Sequence, residues 1–118
     1  MSIKIMNENG SLIIDEQVIA TIAGVSAMEC YGIVGMASKS ATEGFFELVK
    51  KEQLTKGIKV NVKENRVILD LHVIVQFGVK VSVVAENIIS KVKYNVENFT
   101  GLEVEKVNIH VQGVRVQK

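Results

Sequence analysis

Arg66–Gly78, RVILDLHVIVQFG, decides the fold. Val67, Leu69, Leu71, Val73 and Val75 recur at the two-residue period of a pleated backbone, so one long central strand carries five apolar side chains on a single face. The other face takes Ile68, Asp70, His72, Ile74 and Gln76, a mixed surface that water or a partner tolerates. The chain therefore has an inside and an outside before any other segment is read.

Upstream, Ile58, Val60 and Val62 alternate with Lys59, Asn61 and Lys63, and Glu64-Asn65 separates this run from the central strand. With those two residues as a hairpin loop, Val62 opposes Val67, Val60 opposes Leu69 and Ile58 opposes Leu71, three apolar pairs on one face. The same register sets Lys59 against Asp70 as a surface ion pair on the outer face, worth about 0–1 kcal/mol. Downstream of Gly78 comes the longest helix, with Ser82 as cap and Val84, Ala85, Ile88, Val92, Val96 and Phe99 at helical spacing. Thr100-Gly101 ends it, since Gly101 can take the left-handed conformation and Leu102 can fold back on Val96. Val104–Val116 is the last strand, with Val107, Ile109 and Val111 inward. Past Gly113 the apolar parity changes to Val114 and Val116, which predicts a bulge or bend there.

Toward the N-terminus, two short apolar runs in residues 3–14 flank Asn-Glu-Asn-Gly, and Asn9-Gly10 is a turn pair. Asp15 stands where a helix cap belongs, and Ile14 and Ile19 have the spacing of a hydrophobic staple. Val18, Ile22 and Val25, beside Ile19, Ala23 and Ser26, are expected to form the face that meets the sheet, with Gly24 allowing a close approach. Tyr31–Ala37, YGIVGMA, reads as a brief strand or tight crossing, the SKSATEG that follows as a surface loop, and Phe45–Leu54 as a short helix with a basic end.

The order is strand, helix, short strand and helix, hairpin, long helix, strand. This is an α+β chain, a two-layer sandwich with a βαββαβ-like core, a mixed sheet and helices on one face. A length of 118 residues with 47% hydrophobic and 23% charged residues suits a single domain over 1–118. A formal charge of +1 gives no electrostatic case for binding nucleic acid. One cysteine, Cys30, excludes an internal disulfide and fits a reducing compartment. MSIKIMNENG lacks the pattern of a secretory signal, and no apolar run approaches the roughly 20 residues that span a bilayer. A cytoplasmic protein without a membrane span of its own is expected.

Few residues suggest chemistry. His72 and His110 both take outward positions and, on neighbouring strands, would approach each other and Asp70 as metal ligands. Two histidines without a spaced third ligand suit ordinary exposed sheet positions better. Cys30 with a histidine would make a nucleophile and base, but among Ala27, Met28 and Tyr31 it reads as core packing. Gly32 and Gly35 lack the Lys-Ser/Thr of a phosphate loop. Lys50, Lys51, Lys56, Lys59 and Lys63 are interleaved with Glu47, Glu52 and Glu64, which is the pattern of a solvated face. No catalytic residue, cofactor or metal is assigned, and no enzyme is expected.

Four stretches, GSLIIDEQVIATIAGVSAMECYGIVGMA, TKGIKV, VILDLHVIVQFGVKV and FTGLEVEKVNIHVQGVRV, resemble the alkaline-shock or Gls-type envelope stress protein family of Gram-positive bacteria. The resemblance covers about residues 10–116 and is most specific at Tyr31–Ala37, at the central strand with Gly78, and at Thr100-Gly101-Leu102. Ser82 departs from a proline common in the family at the start of the long helix, and both residues suit a helix start. The resemblance implies a non-catalytic protein of envelope stress response or homeostasis, acting through a protein partner at the membrane. The interaction face expected here is Ile68, Asp70, His72, Ile74, Gln76 and His110, and self-association into a homo-oligomer through an exposed strand is a further route. The alternative is a small nucleic-acid-binding module, which the lack of stacking aromatics on the outer sheet face disfavours.

Overall fold

A computed structural model of the chain describes residues 2–36 and 57–116. Arg66–Gln76 is strand β5, with Val67, Leu69, Leu71 and Val73 fully buried and Val75 nearly so. Burial of such side chains contributes roughly 1.5–3 kcal/mol each, so this face sets the core. (The remaining strands are numbered in chain order around it.) Strand β4, Ile58–Lys63, pairs antiparallel with β5 in the register the sequence predicts, Ile58 opposite Leu71, Val60 opposite Leu69 and Val62 opposite Val67. Glu64 and Asn65 have φ of 53° and 65°, both in the left-handed region, as a hairpin loop matching the strand twist requires. The expected Lys59–Asp70 ion pair does not form. The two stand opposite each other, but the Asp70 carboxylate is engaged by Asn108 and His110 of the other neighbouring strand.

β5 is long enough to hold two partners end to end on one edge. β4 takes Arg66–Leu71 and β3, Ile33–Met36, takes Val73–Val75, also antiparallel. The His72 and Gln76 N–H groups donate to the Gly57 and Gly32 carbonyls at 2.8 and 2.9 Å, continuing that edge. On the opposite edge runs β6, Glu103–Arg115, parallel to β5. A parallel neighbour needs a crossover, which α2, Val81–Thr100, supplies. The sheet is therefore mixed. Its β5–β6 register skips Glu105 and Gln112. The second irregularity is the bend expected at Gly113, and the first has no glycine to announce it.

The two apolar runs on either side of the Asn-Glu-Asn-Gly turn form a hairpin, which replaces the single leading strand of the expected βαββαβ order and stands apart from the main sheet. β1, Ser2–Asn7, and β2, Gly10–Asp15, form a separate two-stranded antiparallel sheet. Asn7 Oδ1 accepts from the N–H groups of Asn9 and Gly10 at 2.8 and 3.1 Å, which ties the turn locally. Ile3 and Ile14 enter the core, while Met6, Leu12 and Ile13 are exposed.

Asp15 caps α1, Glu16–Met28, by accepting from the Gln17 N–H at 3.2 Å. Ile14 and Ile19 are both buried in the core, as a staple requires. Val18 and Val25, expected on the buried face, are 42% and 41% exposed, and Ile22 is half-buried. The buried stripe is Ile19, Ala20, Ala23, Gly24, Ser26 and Ala27. α1 packs on α2 as well as on the sheet, and small side chains at the seam let two helices approach, leaving the valines at its margin. The helices run antiparallel, since Ser26 meets Asn95 while Glu29, further along α1, meets Lys91, earlier in α2.

α2 buries Val84, Ile88, Val92 and Val96. It begins after Lys80, which makes no side-chain cap, so Ser82 lies inside the first turn rather than capping it. Gly101, at φ 80°, closes the helix by donating to the Glu97 carbonyl at 2.8 Å. Leu102 then enters the core and Phe99, expected there, is 76% exposed. The reversal at Gly101 brings Leu102 back over the end of the stripe, and Phe99 on the overhanging turn is left outside. On β6, Val104 and Val107 are buried, while Val111, expected inward, is 38% exposed. α2 holds β6 near Val104, where Lys93 Nζ donates to the Val104 carbonyl and Glu97 Oε2 accepts from the Val104 N–H, both at 2.9 Å. The expected loop over 38–44 and helix over Phe45–Leu54, with Lys50, Lys51 and Lys56, lie outside the described residues.

Candidate functional site

The outer sheet face holds all six residues singled out in the sequence, but brings only some of them together. Asp70, His72 and His110 meet on adjoining strands, with Asn108 beside them. The His72 and His110 rings stack, with centroids 4.6 Å apart and planes inclined by 17°. Asp70 Oδ1 accepts from His110 Nε2 at 3.2 Å and from Asn108 Nδ2 at 3.1 Å. Ile68 and Gln76 are half-buried and lie at opposite ends of the strand, about 26 Å apart at roughly 3.3 Å per residue. Ile74, expected to be exposed, is only 4% accessible. It stands between Gly35 and Gly113 in the ladder and outside the main core cluster. The apolar exposure expected on this face is therefore reduced to Ile68.

Burial raises the Asp70 carboxyl, but the hydrogen bonds from His110 and Asn108 and the neighbouring imidazoles outweigh it and hold the group below the ordinary carboxylate value. A carboxylate that orients an imidazole is half of a nucleophile-activating arrangement. The positions of β4, β5 and β6 that share this face include no serine, threonine or cysteine. Among the described residues no group of three His, Cys, Asp or Glu side chains could hold a metal ion.

Cys30 lies in the core cluster, on the inner side of the sheet, so the two histidines are on the far side from it. Its thiol donates to the Ser26 carbonyl at 3.5 Å. Burial pushes the thiol up, with Glu29 adding to this and Lys91 opposing it. Core packing, the expected reading, is what the structure shows.

Sequence reasoning missed a groove of about 380 Å³ on the helical side, lined from α1 by Thr21, Ile22, Val25 and Ser26, and by Asn95 and Phe99 of α2. Asn95 Nδ2 donates to Ser26 Oγ at 2.8 Å, which in turn donates to the Ile22 carbonyl at 2.7 Å. Thr21 Oγ1 donates to the Gln17 carbonyl at 2.8 Å, and Glu29 at the rim pairs with Lys91 at 3.1 Å. Its hydroxyls are thus engaged by helix backbone, and Val25 and Phe99 supply open apolar walls. The available signal was polar Ser26 and Asn95 within otherwise apolar helical stripes, the mark of an interhelical contact.

Fold and surfaces define a small two-layer α+β protein with an open apolar groove between its helices and, on its sheet, an Asp70 carboxylate bonded by His110 and Asn108 beside the stacked His72 ring. The chain belongs to the alkaline shock protein 23 family, described as having a cell envelope-related function, whose family model matches residues 4–116. It is 45% identical over 117 residues to YloU of Bacillus subtilis strain 168, an uncharacterized protein, covering 98% of each chain. It is 40% identical over 117 residues to the uncharacterized Spy1614 of Streptococcus pyogenes serotype M6, covering 98% of this chain and 97% of that one. With the uncharacterized YqhY of B. subtilis the identity is 32% over 106 residues, 90% of this chain and 78% of the other. No solved structure matches. Among the described residues, no helix is long and apolar enough to cross a membrane.

Proposed function

We propose that this chain is a non-catalytic, cytoplasmic adaptor of the cell envelope, which acts by presenting a surface to a protein partner at the membrane. The observation that carries this reading is the α1–α2 groove, where Phe99 is 76% exposed and Val25 41% exposed beside hydroxyls already bonded to helix backbone. An apolar recess with a polar rim suits an anchoring side chain of a partner. It supplies no nucleophile with a base. The family's cell envelope-related function supports the setting. The contact is placed at this groove rather than on the outer sheet face, because Ile74 there is buried.

Recovery of purified chain with membranes from a Gram-positive host, against recovery with protein-free vesicles of the extracted lipids, tests the reading. Binding to membranes but not to vesicles is expected, with Phe99→Lys plus Val25→Glu abolishing it and Ile68→Lys preserving it. Equal recovery with vesicles would point to lipid instead, and an unchanged double variant would exclude the groove.

A further inference from the structure

We propose that two copies of this chain pair through the free edge of β6, antiparallel and centred on Ile109, so that their main sheets become one. β6 is a 13-residue strand, and among the described residues its ladder is with β5 alone. Backbone groups alternate between the two sides of a strand. The Arg115 carbonyl accepts from Phe77 N–H on the β5 side, whereas the Val104 N–H and carbonyl are taken by Glu97 and Lys93 of α2. Val104 shares the inner face with Val107, Ile109, Val111 and Val114, which pair in register with inner-face residues of β5. Those residues therefore aim their N–H and C=O groups at the open edge. An edge of this length, open among the described residues beyond Val104, is a template for strand addition.

The identity of the occupant follows from the symmetry of β6 itself. Centred on Ile109, an antiparallel partner of the same sequence sets Val107 against Val111, Val104 against Val114 and Ile109 against Ile109, so the apolar face reads the same in both directions. The irregularities obey the same symmetry. Glu105 and Lys106 oppose Gly113 and Gln112, so each skipped position on one copy meets the other copy's irregular pair, and a bulge that would disrupt an unrelated strand is matched. At the ends, Glu103 faces Arg115 on both sides, an opposite-charge match. Lys93 and Glu97 occupy the edge groups of Val104, so the new ladder spans Val107 to Val111. A two-fold, self-complementary contact of this kind closes at two copies. Val111, 38% exposed in the single chain, is covered by it.

Sedimentation equilibrium of the full chain is expected to show twice the chain mass. Ile109→Pro should return it to the single-chain mass, because the N–H it removes points to the edge and not to β5. Val111→Lys, at a half-exposed position that leaves the Ile109 backbone intact, should do the same if the proline variant fails to fold. Register is read by oxidation. Ile109→Cys should form an intermolecular disulfide, since a hydrogen-bonded pair sets its two Cα atoms about 5.5 Å apart, while Val111→Cys should not, because it faces Val107. A single-chain mass for the parent up to its solubility limit, a dimer that survives Val111→Lys, or crosslinking at 111 in preference to 109 would each overturn the proposal.

Discussion

Asp70 Oδ1 and His110 Nε2 meet at 3.2 Å across the parallel β5–β6 pair, so a titratable contact fastens the edge strand to the centre of the sheet. A carboxylate oxygen accepts, so Nε2 carries the hydrogen and the ring's other nitrogen is left free of it in the neutral form.

This contact gives a pH dependence with a definite sign. The folded carboxyl is held below the ordinary value of about 3.9. Its contribution to stability is present in full above that ordinary value and is lost as pH falls through the lower folded value. Urea midpoints from neutral to strongly acidic pH should fall more steeply in the parent than in Asp70→Asn, whose amide oxygen can still accept but does not titrate. Parallel acid limbs would show that the contact adds nothing.

Two glycines with positive φ differ in the space around them. At Gly32, φ 94°, an added Cβ would sit 2.9 Å from Val84 Cγ2 and 3.4 Å from Val79 Cγ1, whereas at Gly101, φ 80°, nothing lies within 4 Å. Conformation alone costs about 1 kcal/mol and a clash against a packed valine adds to it. Gly32→Ala is therefore expected to lose about 2–3 kcal/mol and Gly101→Ala about 1 kcal/mol in denaturant unfolding. Equal losses would mean that the Val84 contact relaxes without cost.

Glu97 ties the end of α2 to the start of β6. Its carboxyl is held low chiefly by the Val104 N–H; burial opposes this, and Lys93 adds to the lowering. Glu97→Ala leaves that N–H without its acceptor, at a cost of about 1 kcal/mol for a partly exposed bond. Glu97→Gln keeps an acceptor and should recover part of it. Amide exchange at Val104 is the local readout, and it should quicken in the alanine variant before the rest of β6.

The Glu64-Asn65 loop holds two non-glycine residues at positive φ. Glu64→Asn with Asn65→Gly supplies the pair this turn favours, and is expected to stabilise by about 0.5–1 kcal/mol. A lower thermal midpoint would mean that the Glu64 side chain contributes more than its backbone costs.

What the sequence determined by itself is local. The hairpin register of Ile58–Lys63 on Arg66–Leu71 follows from strand period and a two-residue loop, and both are set by neighbours in the chain. The Asp15 cap and the Gly101 terminus depend on backbone groups a few residues away and were equally legible. The approach of His72 to His110 needed only that the two strands be neighbours. What the tertiary structure decided is which surfaces meet. α1 has apolar residues on more than one side, so periodicity could not choose between the stripe with Val18 and Val25 and the stripe of alanines; close packing against α2 chose the smaller side chains. Phe99 has core-like spacing and is exposed because Leu102 returns through Gly101 to fill that end of the core. Asp70 had Lys59 opposite it in sequence-derived register, yet its partner is His110, because β6 adjoins the other edge through a parallel crossover that no local pattern encodes. Short-range sterics and hydrogen bonds fix the elements, and the choice among their faces is made only when distant segments compete for the same buried surface.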